Sequence, residues 1–96
     1  MADIEHKHGE KGGLFLARIN DEVMGEMSYH LESDTIMAIE HTEVKTSARG
    51  NNVGMELLEA AVAYAGTNQI KIRPVCNFVN VIFNKYPDKY RDVNLK

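Results

Sequence analysis

The chain has 96 residues, 44% of them hydrophobic and 26% charged, the balance of an ordinary globular domain long enough to build one core. Its formal net charge of -3 argues against a general nucleic-acid binder, which is usually basic, and no apolar run reaches the length of a membrane span. Cys76 stands alone and cannot form an internal disulfide. With the polar start M-A-D-I-E-H-K-H, which does not read as a signal peptide, this leads to the expectation of a cytoplasmic protein made of a single domain, residues 1–96.

In chain order, Asp3 to His8 is a candidate first strand whose strong apolar residue is Ile4, and Gly9 to Gly13 reads as a turn. Leu14 to Ile19 alternates as a second strand, and Asn20-Asp21-Glu22 turns the chain back. From Val23 to Leu31, residues Val23, Gly25, Met27, Tyr29 and Leu31 share one face, with Met24, Glu26, Ser28 and His30 on the other. After a turn at Glu32-Ser33-Asp34, Thr35 to Val44 is a strand that is apolar on both faces from Ile36 to Ile39, and so is expected to be central. Short joins make this set an antiparallel meander.

The period then changes. Val53, Leu57, Leu58, Ala61, Val62 and Ala65 recur at helical spacing, which predicts a helix from about Val53 to Gly66 with Gly66 as its C′ residue. Ile70 to Val75 is a short strand, set parallel to Thr35–Val44 by a right-handed crossover. Asn77 to Asn84 predicts a second helix with Asn77 near its cap, stopped before Pro87. Tyr86 to Lys96 is polar and reads as loop or terminal extension. The fold class is α/β with a mixed sheet: an antiparallel meander, a βαβ crossover and a short C-terminal helix.

Several places carry candidate chemistry. Arg49-Gly50-Asn51-Asn52-Val53-Gly54 opens the long helix. The first amides of a helix have no internal partner and its dipole is positive there, so this turn can bind an anion. The plainer account is a strand-to-helix connection whose glycines serve geometry. Cys76 precedes the second helix, where a dipole favours thiolate; it is a candidate nucleophile or proton donor, or else a small buried hydrophobe. Glu40 and His41 fall late on the central strand, on opposite faces. His41 is a candidate base toward an amine and Glu40 one acting through water; the plainer accounts are a hydrogen-bonded histidine and a solvated carboxylate. His6 and His8 share a strand face and could meet one metal ion, but no third ligand is patterned nearby, so an exposed terminus is preferred and no metal is expected. Lys85, Lys89 and Arg91 are interleaved with Asp88 and Asp92 and read as a solvated surface, with a coenzyme 3′-phosphate contact as the alternative.

The chain resembles the Gcn5-related N-acetyltransferases, in their compact single-domain subfamily. The family motif, Arg or Gln, two residues, Gly, one residue, then Gly or Ala, stands here as Arg49-Gly50-Asn51-Asn52-Val53-Gly54, with Asn52 in place of the first motif glycine. Glu40-His41-Thr42-Glu43-Val44 before it and Pro74-Val75-Cys76 after it resemble the compact subfamily. The resemblance implies an acyl-CoA N-acyltransferase-like fold and acetyl transfer from acetyl-coenzyme A to an amine acceptor. It places the pyrophosphate on the loop amides from Arg49 to Gly54 and the pantetheine arm on the strand around Glu43, Val44 and Lys45, with Asn77 also among the coenzyme contacts. Larger relatives carry a Tyr as general acid seven residues beyond an Asn; counted from Asn77 that position is Asn84. Tyr86 or Cys76 could replace it. That missing Tyr motivates a second reading, a non-catalytic acyl-coenzyme A binding or interaction module, and a thiol redox protein is a third. Acceptor and oligomeric state stay open; nucleic-acid and membrane partners are not expected.

Overall fold

A computed structural model describes residues 2–95. The strands β1 (Asp3–His8), β2 (Gly12–Ile19), β3 (Glu22–Ser33), β4 (Ile36–Val44) and β5 (Lys71–Pro74) form one sheet in that spatial order. The first four are an antiparallel meander, and β5 lies parallel to β4. The crossover between β4 and β5 is helix α1 (Val53–Thr67), and α2 (Asn77–Lys85) follows β5. The α/β meander and βαβ crossover expected from the sequence are both present.

Local chemistry explains the joins. Asn20 and Asp21 both take positive φ, 53° and 67°, the conformation a two-residue hairpin needs to match strand twist. In α1 the residues Val53, Leu57, Leu58, Ala61 and Ala65 are buried, as the helical stripe predicts. Its end lies beyond the expected Gly66. Gln69 takes the left-handed conformation (φ 58°), and the Ile70 amide donates to the Ala65 carbonyl at 2.8 Å. This is a Schellman closure with glutamine at C′, and Gly66 sits inside the last turn.

Both helices cover one face of the sheet. Gly25 lets α1 lie close on β3, since a Cβ there would come within 3.0 Å of Val53 Cγ1 and 3.3 Å of Leu57 Cδ1. The core lies under the helices: Phe15, Met27, Met37, Ile39 and Ile72 from the sheet meet Leu57, Leu58, Val79 and Phe83. Leu16 and Ala38, on the opposite face, are buried but fall outside that cluster. The face away from the helices carries ion pairs, including Arg73 to Glu32 at 2.8 Å and Arg18 to Glu5 at 3.1 Å.

Two segments differ from expectation. His6 and His8 are not on a loose terminus: β1 pairs with β2 along its whole length. The His6 ring stacks on Phe15 at 4.1 Å and lies edge-on to Tyr64 at 4.5 Å. The segment after α2 is also packed. Tyr90 and Val93 are buried, and Tyr90 stacks on Phe83 at 4.8 Å and donates its hydroxyl to Glu59 Oε2 at 2.9 Å. Val93 accepts a bond from the Ile72 amide at 2.6 Å, and Leu95 donates to Ile72 at 2.9 Å, so the tail covers the outer edge of β5. Among the described residues, no helix is long and apolar enough to cross a membrane.

Candidate functional site

β5 pairs with β4 only as far as Ile39 opposite Pro74, with one further bond from the Cys76 amide to the Ile39 carbonyl at 2.8 Å. Beyond it, residues 40–44 of β4 have a strand neighbour on the β3 side alone, and the sheet splits. A bulge sits at the mouth of the split. Tyr29 faces Ile39 and Ser28 faces His41, which leaves Glu40 as the extra residue. The bulge resets the side-chain alternation. Thr42 and Val44 come to the helix-covered face, opposite Met27 and Gly25, while His41 and Glu43 come to the open face, opposite Ser28 and Glu26. Glu40 also turns to the open face, its carboxylate 2.9 Å from His30 Nδ1. The expectation that Glu40 and His41 point to opposite faces is thus corrected; period-two counting fails at the extra residue.

From Val44 the chain passes through a 3-10 turn, Thr46–Ala48, and enters α1 through Asn52. Gly50 has φ 90° and Asn52 φ 64°, so Asn52 fills a left-handed position that glycine would otherwise take; Asn51 does not. The turn uses some amides itself: Arg49 donates to Thr46 and Asn51 to Ala48, each at 3.2 Å. The first α1 bond runs from Glu56 to Asn52 at 3.0 Å. The amides of Val53, Gly54 and Met55 precede it without helical acceptors, and the Asn52 side chain does not cap them. They open on a cavity of about 250 Å³ lined by Val44, Arg49, Gly50, Asn52, Gly54 and Phe78, among others. Glu56, the acid in the first turn of α1, is engaged by the Ala2 amide at 2.8 Å. Among the described residues, Arg49 has no carboxylate partner. Lys45 does not join this set by its amide, which donates to Met24 at 2.8 Å, or by its ammonium, which pairs with Glu22 at 3.2 Å.

Cys76 closes the other end of the site. It is the N-cap of α2 in extended conformation, and its thiol, nearly buried, donates to Thr42 Oγ1 at 3.3 Å. The first turn of α2 carries no acid, and Asn77 is exposed at its first position. Phe78 of that same turn packs over Gly54. The N-termini of α1 and α2 therefore converge beside the free edge of β4, one at the cavity and the other at a thiol. Thr42 gave no signal in the sequence, because a threonine on a strand is ordinary until the bulge turns it inward.

The remaining candidates lie elsewhere. His41 is on the open face, its side chain 63% exposed and 3.7 Å from Glu43, across the β4 backbone from Cys76. Tyr86 is the C-cap of α2, about 15 Å from Cys76 at the helical rise, and Asn84 is exposed near the same end. Lys89 pairs with Glu59 at 3.1 Å and Arg91 with Asp88 at 2.5 Å, both on the solvated surface. Among the described residues, no cluster of three or more His, Cys, Asp or Glu could hold a metal ion.

The sequence matches the family model of GCN5-related N-acetyl-transferases over residues 15–93. Among solved structures it is similar to a GCN5-like protein from Staphylococcus aureus, at 31% identity and TM-score 0.68, covering 99% of this chain and 91% of that one. It shares its fold with a GNAT family acetyltransferase from Elizabethkingia anophelis with acetyl-CoA bound, at 21% identity and TM-score 0.62, covering 79% of this chain and 53% of that one. A ribosomal-protein-alanine N-acetyltransferase from Brucella melitensis is similar at 12% identity and TM-score 0.64, covering 81% of this chain and 62% of that one. The chain thus spans less than two thirds of these two larger proteins. No curated protein matches the sequence. With the family model running from within β2 through β3, β4, both helices and β5 into the tail, the chain belongs to the GCN5-related N-acetyltransferases, enzymes that move the acetyl group of acetyl-coenzyme A to an amine.

Proposed function

We propose that residues 1–96 act as one compact catalytic domain, with acetyl-coenzyme A laid from the α1 loop to Cys76 and an amine approaching at the split beside β4. The observation that carries this reading is the convergence of two helix N-termini, neither capped by a side chain, on the free edge of β4. The residues suit the coenzyme: open amides at Val53, Gly54 and Met55 and the Arg49 guanidinium match a pyrophosphate, and Val44 offers an unpaired strand edge for an amide-bearing arm.

When bound, the coenzyme supplies an acetyl thioester whose carbonyl carbon the amine attacks, forming a C–N bond as the C–S bond breaks. The chain then has two protons to manage. The Cys76 thiol is the group that would give its proton to the departing thiolate; its S–H rests on Thr42 Oγ1 and must turn from Thr42 to the coenzyme sulfur to do so. The amine proton leaves toward the open face, where His41 stands exposed and accessible; Glu40, paired with His30, is the less available base. Holding the two reactants in one orientation lowers the barrier by entropy lost on binding rather than in the chemical step. The unpaired cysteine fits a reducing cytosol as the working compartment.

The test is turnover against a panel of polyamines, lysine peptides, peptide N-termini and aminoglycosides, read as free thiol release and as added acetyl mass on the acceptor. Thiol release that depends on one class of amine is expected. Tight coenzyme binding with no turnover on any class would instead support an acyl-coenzyme A binding module.

A further inference from the structure

The two glycines of the α1 loop are glycine for different reasons. At Gly50 the backbone demands it: φ is 90°, and a Cβ would meet nothing within 4 Å. Gly54 has no such φ and sits in the first turn of a helix, where glycine is poorer than alanine by up to about 1 kcal/mol. Its constraint comes from one neighbour. A Cβ at Gly54 would lie 3.2 Å from Cζ of Phe78, with the next two nearest atoms, Cε2 at 3.6 Å and Cε1 at 3.7 Å, on the same ring. Phe78 is half-buried and lines the cavity together with Val44, Gly50 and Asn52. Its ring thus has the Gly54 backbone on one side and the cavity on another.

We propose that Phe78 determines how coenzyme A is seated: its ring, resting on Gly54, forms with Val44 the apolar wall against which the branched carbons of the pantetheine arm pack, next to the pyrophosphate. This rests on the cavity being the coenzyme site. The arm must run from the loop amides toward Cys76, and the side chain standing between them on the first turn of α2 is Phe78. It would also mean that the motif glycine at 54 serves the ring rather than the close approach of a phosphate. A methyl group at 54 would push the ring toward the arm.

A double-mutant cycle tests this by calorimetry, with coenzyme A and with ADP, which has the pyrophosphate but no arm. Phe78→Ala should weaken coenzyme A about tenfold and leave ADP within about twofold, and Phe78→Leu should fall between, both judged on chains whose apo thermal midpoint shows them folded. Gly54→Ala should weaken coenzyme A in the parent chain and have little effect in the Phe78→Ala background. Equal losses from Gly54→Ala in both backgrounds would overturn the proposal, because the glycine would then serve the phosphate. Equal losses of coenzyme A and ADP on Phe78→Ala and Phe78→Leu would overturn it as well. A parent chain that binds neither ligand would overturn the coenzyme reading itself, whereas a parent that binds both with an additive cycle removes Phe78 alone.

Discussion

Cys76 is the side chain to which the proposed mechanism assigns the leaving-group proton. Its thiol faces Thr42 at the β4 edge, where the proposed coenzyme path from the α1 loop ends. Cys76→Ala and Cys76→Ser should leave coenzyme affinity within about twofold while lowering kcat by roughly 10²-fold, the scale of a lost general acid. Transfer at the parent rate in both would make the thiol a packing group. His6 bears on stability instead. Burial, and then the neighbouring His8, lower its pKa from 6.5. Tyr29, pushed up to about 12 by burial and by Tyr64, stays protonated and shares a hydrogen bond with His6 Nε2 at 2.6 Å. The groups facing His6 are Phe15, Tyr29, Tyr64 and His8. Because the unfolded chain takes this proton first, the contribution is full above its ordinary pKa of 6.5. It is lost as pH falls from there toward the depressed folded value. The thermal midpoint should therefore drop on acidification below about pH 6.5, and His6→Gln, which keeps a hydrogen-bonding side chain beside Tyr29, should shrink that drop. An unchanged pH profile in the variant would remove His6 from the account.

At the scale of elements, the helix ends and the bulge build the site. Asn52→Asp separates fold from binding, because the two shapes match and both residues tolerate the left-handed cap. The carboxylate suits the positive end of α1 and should hold or raise the thermal midpoint. The same charge beside a pyrophosphate should weaken coenzyme A about tenfold. Unchanged affinity would move the phosphates off this loop. Much of this was legible in the sequence: the stripe from Val53 to Ala65 gave α1, and Gly50, Asn52 and Gly54 gave its loop. The bulge was not, because an extra residue at Glu40 leaves no mark in a strand whose neighbours at Thr42 and Val44 suit either face. The end of α1 was misplaced for a related reason. Gly66 looked like the C′ residue, but Gln69 accepts the left-handed turn once Ile70 bonds back to Ala65.

The whole molecule is one sheet with helices on one side, and the tail ties those helices together. Tyr90 reaches both, stacking on Phe83 of α2 and bonding Glu59 of α1. Tyr90→Phe keeps the stack and removes the bond. It should cost about 1 kcal/mol, since Glu59 is half exposed, and lower the thermal midpoint by roughly 4–8 °C; no shift would make the hydroxyl incidental. Residues 86–95 looked polar because Tyr90 and Val93 find their partners in distant elements, which local periodicity does not report. The contact of Phe78 with Gly54 was hidden for the same reason, since the two are far apart in sequence. The measurement that bears most directly on the central claim is a titration of the ¹⁵N-labelled chain with coenzyme A, followed amide by amide. The largest shifts should fall on Val44, Gly50, Asn52, Val53, Gly54 and Cys76, with His6 and Tyr64 at the far end of the sheet little changed. Shifts gathered instead on the open face around His30 and Glu40, or no shifts at saturating coenzyme, would contradict the account.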